Sequence, residues 1–269
     1  MDIRDITEEV KYPGILAFNE LFKLQMNLLD KYIGIESLPS YPIDINTKQS
    51  QTLVKDFTGR IIEELGEGFE SYLMMMTMFH CGADEENMIP HLQNFNEEIS
   101  DAIHFWLELM IYSDFGMEKI YKWMEFYIEI EYIPKSVDPL EMWLSMGEAF
   151  VEKEVAHKKT PCRWVIKDHM LKDEFLRGGR QLGNNRMDIM KQYLWDITFH
   201  LQIARNTLKN KSWKQTEMMT DFKQYEDSLR ETMLALFKFF YFAGFTKESL
   251  YVIYYKKNKI NQFRIKSKY

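Results

Sequence analysis

Cysteine is nearly absent: Cys81 and Cys162 are the two in 269 residues. That excludes a disulfide framework, and no CxxC spacing offers a thiol pair for zinc or redox work. A reducing compartment, and so a cytoplasmic protein, is expected. Long apolar runs are lacking too. The most apolar stretch, MLALFKFFYFAGF (233–245), is 13 residues long and contains Lys238, short of the roughly 20 a membrane span requires. The opening MDIRDITEEV has no apolar core of the secretory type. Basic excess is missing as well. With 34 Lys and Arg against 41 Asp and Glu, the net charge is −7. That argues against a general nucleic-acid binder, which needs a basic surface, and leaves room for a local basic pocket. Glycine (12) and proline (7) are scarce, and every proline lies at or before Pro161.

The chain is rich in apolar residues (46%), aromatics (15%) and methionine (18). Periods of three and four dominate and clean alternation is hard to find, so the expected fold is all-α, a helical bundle in a single domain spanning 1–269. Helices are expected over 14–33, 50–79, 91–113, 117–132, 140–157, 188–208, 221–242 and 246–265. The stretch 133–190 reads as an insert or lid. Within it RGGRQLGNNR (177–186), with three glycines and two asparagines, is expected to be a mobile loop.

The stretch RIIEELGEGFESY (60–72) looks helical yet carries two glycines and four glutamates. Like charges four apart cost a helix about 0.2–0.5 kcal/mol, and each interior glycine about 1 kcal/mol against alanine. Glu64 and Glu67 share a helical face. In NEEISDAIHFWLEL (96–109), Glu98 and Asp101 share another, with His104 three residues on. Two facing helices would offer four or five carboxylates, the donor set of a hard cation such as Mg²⁺; bound metal would turn mutual repulsion into attraction. Gly66 and Gly68 would let a partner helix or a phosphate approach closely. An isolated ExxE is usually a solvated face, but here the acids are embedded among apolar residues. Gln25 lies on the apolar stripe of the first helix, where a buried amide needs partners. Near the C-terminus, Tyr254, Lys257, Asn258, Asn261 and Arg264 can present a polar, cationic face to an anion, although a basic helix end also complements the macrodipole.

EELGE (63–67) followed by EISDAIHF (98–105) resembles the ExxE…ExxD signature of the all-α, MazG-like nucleoside triphosphate pyrophosphohydrolases. LFKLQMNLLDKY (21–32) resembles the first motif of the dimeric dUTPase family, and YYKKNKINQFRIKSKY (254–269) its late motif. The resemblance implies Mg²⁺ on Glu64, Glu67, Glu98 and Asp101, with Glu63 or Glu64 activating water. It implies Gln25, His104 and Phe105 at the pyrimidine, Lys257 and Arg264 on the triphosphate, Asn258 or Asn261 near the sugar, and Tyr254 in support. It also implies a homodimer that hydrolyses dUTP, or dUTP and dCTP, to monophosphate and pyrophosphate. Three departures stand out: 30 residues separate ExxE from ExxD, Ser267 stands where glycine is usual, and LLDKY replaces an Asn-Asp pair.

Two other readings compete. A ferritin-like di-iron bundle uses two ExxH motifs; EVAH (154–157) is one, and DAIH (101–104) is a near miss. A non-enzymatic helical interaction protein would use the Met-rich surface around MMMTM (74–78).

Overall fold

The computed structural model describes residues 10–128, 136–156, 179–210, 215 and 217–267, with backbone alone at 80, 151–156 and 179–186. All regular structure among these residues is helical. The helices are α1 (Ala17–Glu36), α2 (Lys48–His80), α3 (Glu85–Tyr112), α4 (Met117–Ile128), α5 (Pro139–Ala156), α6 (Gly179–Thr207), α7 (Phe222–Ala243) and α8 (Lys247–Ser267), with a short 3-10 turn at Gly14–Leu16. The all-α expectation holds. Among the described residues no helix is long and apolar enough to cross a membrane.

Apolar periodicity explains the long elements. On α2, Val54, Phe57, Ile61, Leu65, Phe69 and Tyr72 recur every three or four residues and all are buried. Side chains mark the helix starts: Thr47 Oγ1 accepts the Ser50 N–H at 3.1 Å, and Asp221 Oδ1 accepts the Gln224 N–H at 3.0 Å. Helix α7 stops at Gly244, whose φ of 91° is left-handed. The Phe245 N–H then reaches back to the Phe240 carbonyl at 3.0 Å.

Two boundaries differ from the periodicity. Helix α3 starts at Glu85, ahead of Pro90, which lies inside the helix. Proline removes one hydrogen bond from this early turn, and the burial of Met88 (4% exposed) holds the added turn to the core. Residues 179–186, expected as a loop, are helical from Gly179. The anchoring of Ile189, Met190 and Tyr193 in the core propagates α6 towards its start, and elongation then outweighs the glycine penalty.

Helices α2 and α3, joined by a tight turn at 81–84, form one long hairpin; α6 and α7 form a second, on which α5 lies. Helices α1 and α8 pack against each other and both contact α3. One continuous apolar core joins these layers. Leu140, Trp143, Leu144 and Met146 of α5, within the 133–190 stretch, belong to that core. Residues 157–178, and with them His157 of EVAH, lie outside the described residues.

The two glycines of the acidic segment differ. A Cβ at Gly68 would lie 3.3 Å from Glu98 Cβ and 3.5 Å from Phe95 Cδ2, whereas at Gly66 it would meet nothing within 4 Å. Only Gly68 sets the α2–α3 approach. Gly66→Ala is therefore expected to stabilise the fold by about 0.5–1 kcal/mol through helix propensity. Gly68→Ala is expected to lose about 1 kcal/mol, because Glu98 Cβ, 3.3 Å away, is fixed to the α3 backbone. Urea unfolding of the two variants checks this, and equal gains for both would contradict the close-approach role.

Candidate functional site

The α2–α3 seam brings three of the expected carboxylates together. One oxygen each from Glu64, Glu67 and Glu98 lie within 4.8 Å of one another. Glu67 is exposed, and Glu64 and Glu98 are half-buried. Burial raises the pKa of both half-buried acids. For Glu64, the charge of Asp101 and a hydrogen bond to Glu98 add to the rise. For Glu98 that hydrogen bond partly offsets it. Hard oxygens held at raised proton affinity are a donor set that fits a divalent cation such as Mg²⁺.

Glu63 is exposed and belongs neither to this cluster nor to the adjoining cleft. Asp101, the fourth expected ligand, faces a cation of the chain itself. Its Oδ2 is 2.7 Å from Lys257 Nζ, which also lies 2.6 Å from Glu97 Oε1. Burial raises the Asp101 pKa and Lys257 opposes the rise. Lys257 is 3% exposed, so it is held in this pair and is not free at the surface.

A cleft of about 250 Å³ opens beside the cluster. Four helices line it: α1 with Tyr32 and Glu36, α2 with Arg60 and Glu64, α3 with Asp101, His104, Phe105 and Glu108, and α8 with Asn261 and Arg264. Two guanidinium groups thus stand in a wall that also holds the carboxylates of Glu36, Asp56, Glu64, Asp101 and Glu108. That of Arg60 lies 5.3 Å from the Phe105 ring centroid, and its Nε donates to Asp56 Oδ2 at 2.9 Å. His104 packs flat against Tyr254, with centroids 4.1 Å apart and planes 18° apart. Burial pushes its pKa down to about 4, so the ring is neutral.

Three expected contact residues lie behind the cleft wall. Gln25 is fully buried. Its Nε2 donates to Glu108 Oε1 at 2.7 Å and its Oε1 accepts from Tyr254 Oη at 2.6 Å. Both ends of the amide are engaged, so Gln25 supports Glu108 instead of lining the cleft. Tyr254 and Asn258 are equally buried. Asn258 Nδ2 reaches the Leu24 carbonyl at 3.3 Å, and its Oδ1 accepts from Gln262 at 2.7 Å.

Arg60, Glu97 and Glu108 were missed by motif reasoning, yet each had a signal. Arg60 precedes Glu64 by one turn and Glu108 follows His104 by one turn, so both continue an already marked face. Glu97 could be paired with Lys257 only through the tertiary fold.

A family model described as dUTPase matches residues 84–269, more than half of the chain. The matched span holds EISDAIHF and the late motif, but neither EELGE nor the first motif. No curated protein and no solved structure matches.

Glu108 yields a pH prediction. Burial, partly offset by Arg60, pushes its pKa from 4.5 up to about 8. A folded-state pKa raised this way means that the folded chain binds the proton more tightly than the unfolded chain. The stability it contributes is complete below 4.5 and is lost as pH rises through about 8. Glu108→Gln is expected to flatten this decline, whose slope for one group is at most about 1.4 kcal/mol per pH unit. Urea titrations across that window test it; parallel wild-type and variant profiles would refute it.

Proposed function

This chain belongs to the dUTPase family, and we propose that it hydrolyses dUTP to the monophosphate and pyrophosphate with Mg²⁺ held by Glu64, Glu67, Glu98 and Asp101. The observation that carries this reading is the meeting of three carboxylates from two helices beside a cleft bordered by Arg60 and Arg264. Bound there, Mg²⁺ would supply neutralisation of phosphate-oxygen charge and a lowered pKa for an attacking water. Glu64, which belongs to both the cluster and the cleft wall, accepts the proton of that water; Glu63, being exposed, is the weaker candidate. Arg60 and Arg264 hold the charge of the phosphate chain. Lys257 positions Asp101. His104 and Phe105 face the base and Asn261 the sugar, while Gln25, Tyr254 and Asn258 position them from behind.

A homodimer belongs to the same reading. Trp195 and Phe199, one turn apart on α6, are 65% and 48% exposed, and a second copy of the chain would cover them. Sedimentation velocity of the full chain is expected to return the dimer mass; a monomer at micromolar concentration would remove this element.

The central test supplies dUTP, dCTP, dTTP, dATP and dGTP with Mg²⁺ and measures monophosphate and pyrophosphate. Turnover of dUTP is expected, with its loss in EDTA. In Glu64→Gln and Asp101→Asn kcat should fall about a hundredfold or more. Absence of pyrophosphate with every nucleotide, or unchanged turnover in both variants, would overturn the proposal.

A further inference from the structure

The fourth expected metal ligand stands apart from the other three. Glu64, Glu67 and Glu98 each offer an oxygen to one cluster, whereas Asp101, one turn after Glu98 on α3, turns its Oδ2 to Lys257 Nζ at 2.7 Å. The same ammonium lies 2.6 Å from Glu97 Oε1. Glu97 and Asp101 are four residues apart on α3, and two carboxylates at that spacing repel. Lys257, from α8, bridges them with one positive charge against two negative ones. The Lys257 side chain is 4% exposed, that of Asp101 20% and that of Glu97 34%. Glu97 is thus the solvent-side partner and Asp101 the inner one, which borders the cleft with Glu64.

A divalent cation at the cluster competes with Lys257 for Asp101, because one carboxylate cannot give its full charge to both. A buried ammonium stripped of every anion is strongly unfavourable. Lys257 escapes that state because Glu97 remains beside it. Glu97 itself lies outside both the cluster and the cleft, so its contact is with the lysine and not with the ligands of the site.

We propose that Glu97 is a positioning residue: it keeps Lys257 paired when Asp101 leaves the ammonium for a divalent cation at Glu64, Glu67 and Glu98. Three carboxylates form the resting cluster, and the fourth joins by exchange of a tethered cation for a free one. The inference rests on the metal reading of the cluster and adds the group that sets how readily the fourth ligand is released.

Two measurements test it, and neither needs catalysis. The first titrates the full chain with Mn²⁺, which like Mg²⁺ favours carboxylate oxygens, and reads the free ion by electron paramagnetic resonance. Glu97→Gln keeps an acceptor for Lys257 but removes the anion, so Lys257 holds Asp101 more strongly. Mn²⁺ is then expected to bind about tenfold more weakly. Lys257→Met removes the competitor, and tighter binding than in the wild type is expected. In the Lys257→Met background, Glu97→Gln should change the affinity by about twofold or less, since only a through-space charge is then lost. Equal losses from Glu97→Gln in the two backgrounds would reduce Glu97 to a diffuse charge and overturn the inference, as would weaker binding by Lys257→Met. No Mn²⁺ binding by the wild type would sink the metal reading itself, and the exchange with it.

The second measurement follows the Lys257 ammonium group by nuclear magnetic resonance in the wild type labelled with ¹⁵N-lysine. Lys257→Arg, which keeps the charge, identifies the signal by its absence. Mg²⁺ is expected to move it to where it stands in metal-free Asp101→Asn, with Glu97 as the sole anionic partner. A signal that Mg²⁺ leaves in place, in a protein that binds the ion, overturns the exchange even where a variant fails to fold.

Discussion

The architecture rests on the packing of α2 against α3, an apolar seam that carries like charges along one edge. Val54, Ile61 and Leu65 on α2 and Ile99, Leu109 and Met110 on α3 are fully buried. Each contributes roughly 1.5–3 kcal/mol on burial. A like-charge pair one helical turn apart opposes this by only about 0.2–0.5 kcal/mol. The seam therefore has far more stabilising free energy than the acids can remove. Glu64, Glu67 and Glu98 can be placed for chemistry because Leu65, Phe69 and Ile99 hold the backbones beneath them. Gly68 completes the arrangement: Glu98 Cβ lies 3.3 Å from where a side chain at 68 would begin.

Helix α8 supplies what the hairpin lacks. The α2 and α3 faces of the site are mostly acidic, and α8 brings Lys257 to Asp101 and Arg264 to the cleft. It also brings Tyr254, whose ring lies on His104 and whose hydroxyl holds Gln25. A buried polar network is stable only when its members are satisfied. The Glu108–Gln25–Tyr254 chain uses both ends of the Gln25 amide, which orients the carboxyl of Glu108. Gln25 and Tyr254 touch the cleft only through Glu108 and His104, so they act as positioning residues.

Periodicity made the helices legible, because an element with a buried face every 3.6 residues announces itself. It did not tell whether an inward residue meets core or cleft. Gln25 and Tyr254 face inward as their spacing implies, but the contact of α1 with α8 closes over them, and no property of either segment alone reveals that. Lys257 was legible as a cation near anions; its burial against Glu97 and Asp101 was not, since 160 residues separate it from Glu97. Arg60 and Glu108 were readable in principle, one turn beyond marked residues. They were passed over because motif reasoning stops where the motif stops. At 179–186 local composition misled, because core packing of the following turns overrode the glycines.

On the proposed reading, the acids and the residues that face the base share a helix, and this constrains how a nucleotide lies. Glu98, Asp101, His104 and Glu108 follow one another on α3 at intervals of three, three and four residues. Ten residues rise about 15 Å along the axis at 1.5 Å each. Order in sequence is thus order in space: carboxylates at one end, the neutral His104 and Glu108 at the other. On the proposed reading the phosphate chain and the base lie along α3, not across it. A rotation of α3 about its own axis would move both ends of the site together. Hydrolytic chemistry and base choice then depend on a single rigid element, whose rotation is set by Phe95, Ile99, Ala102 and Trp106 buried on its far side. A change in that apolar stripe would disturb metal binding and base selection alike, although none of its members borders the cleft.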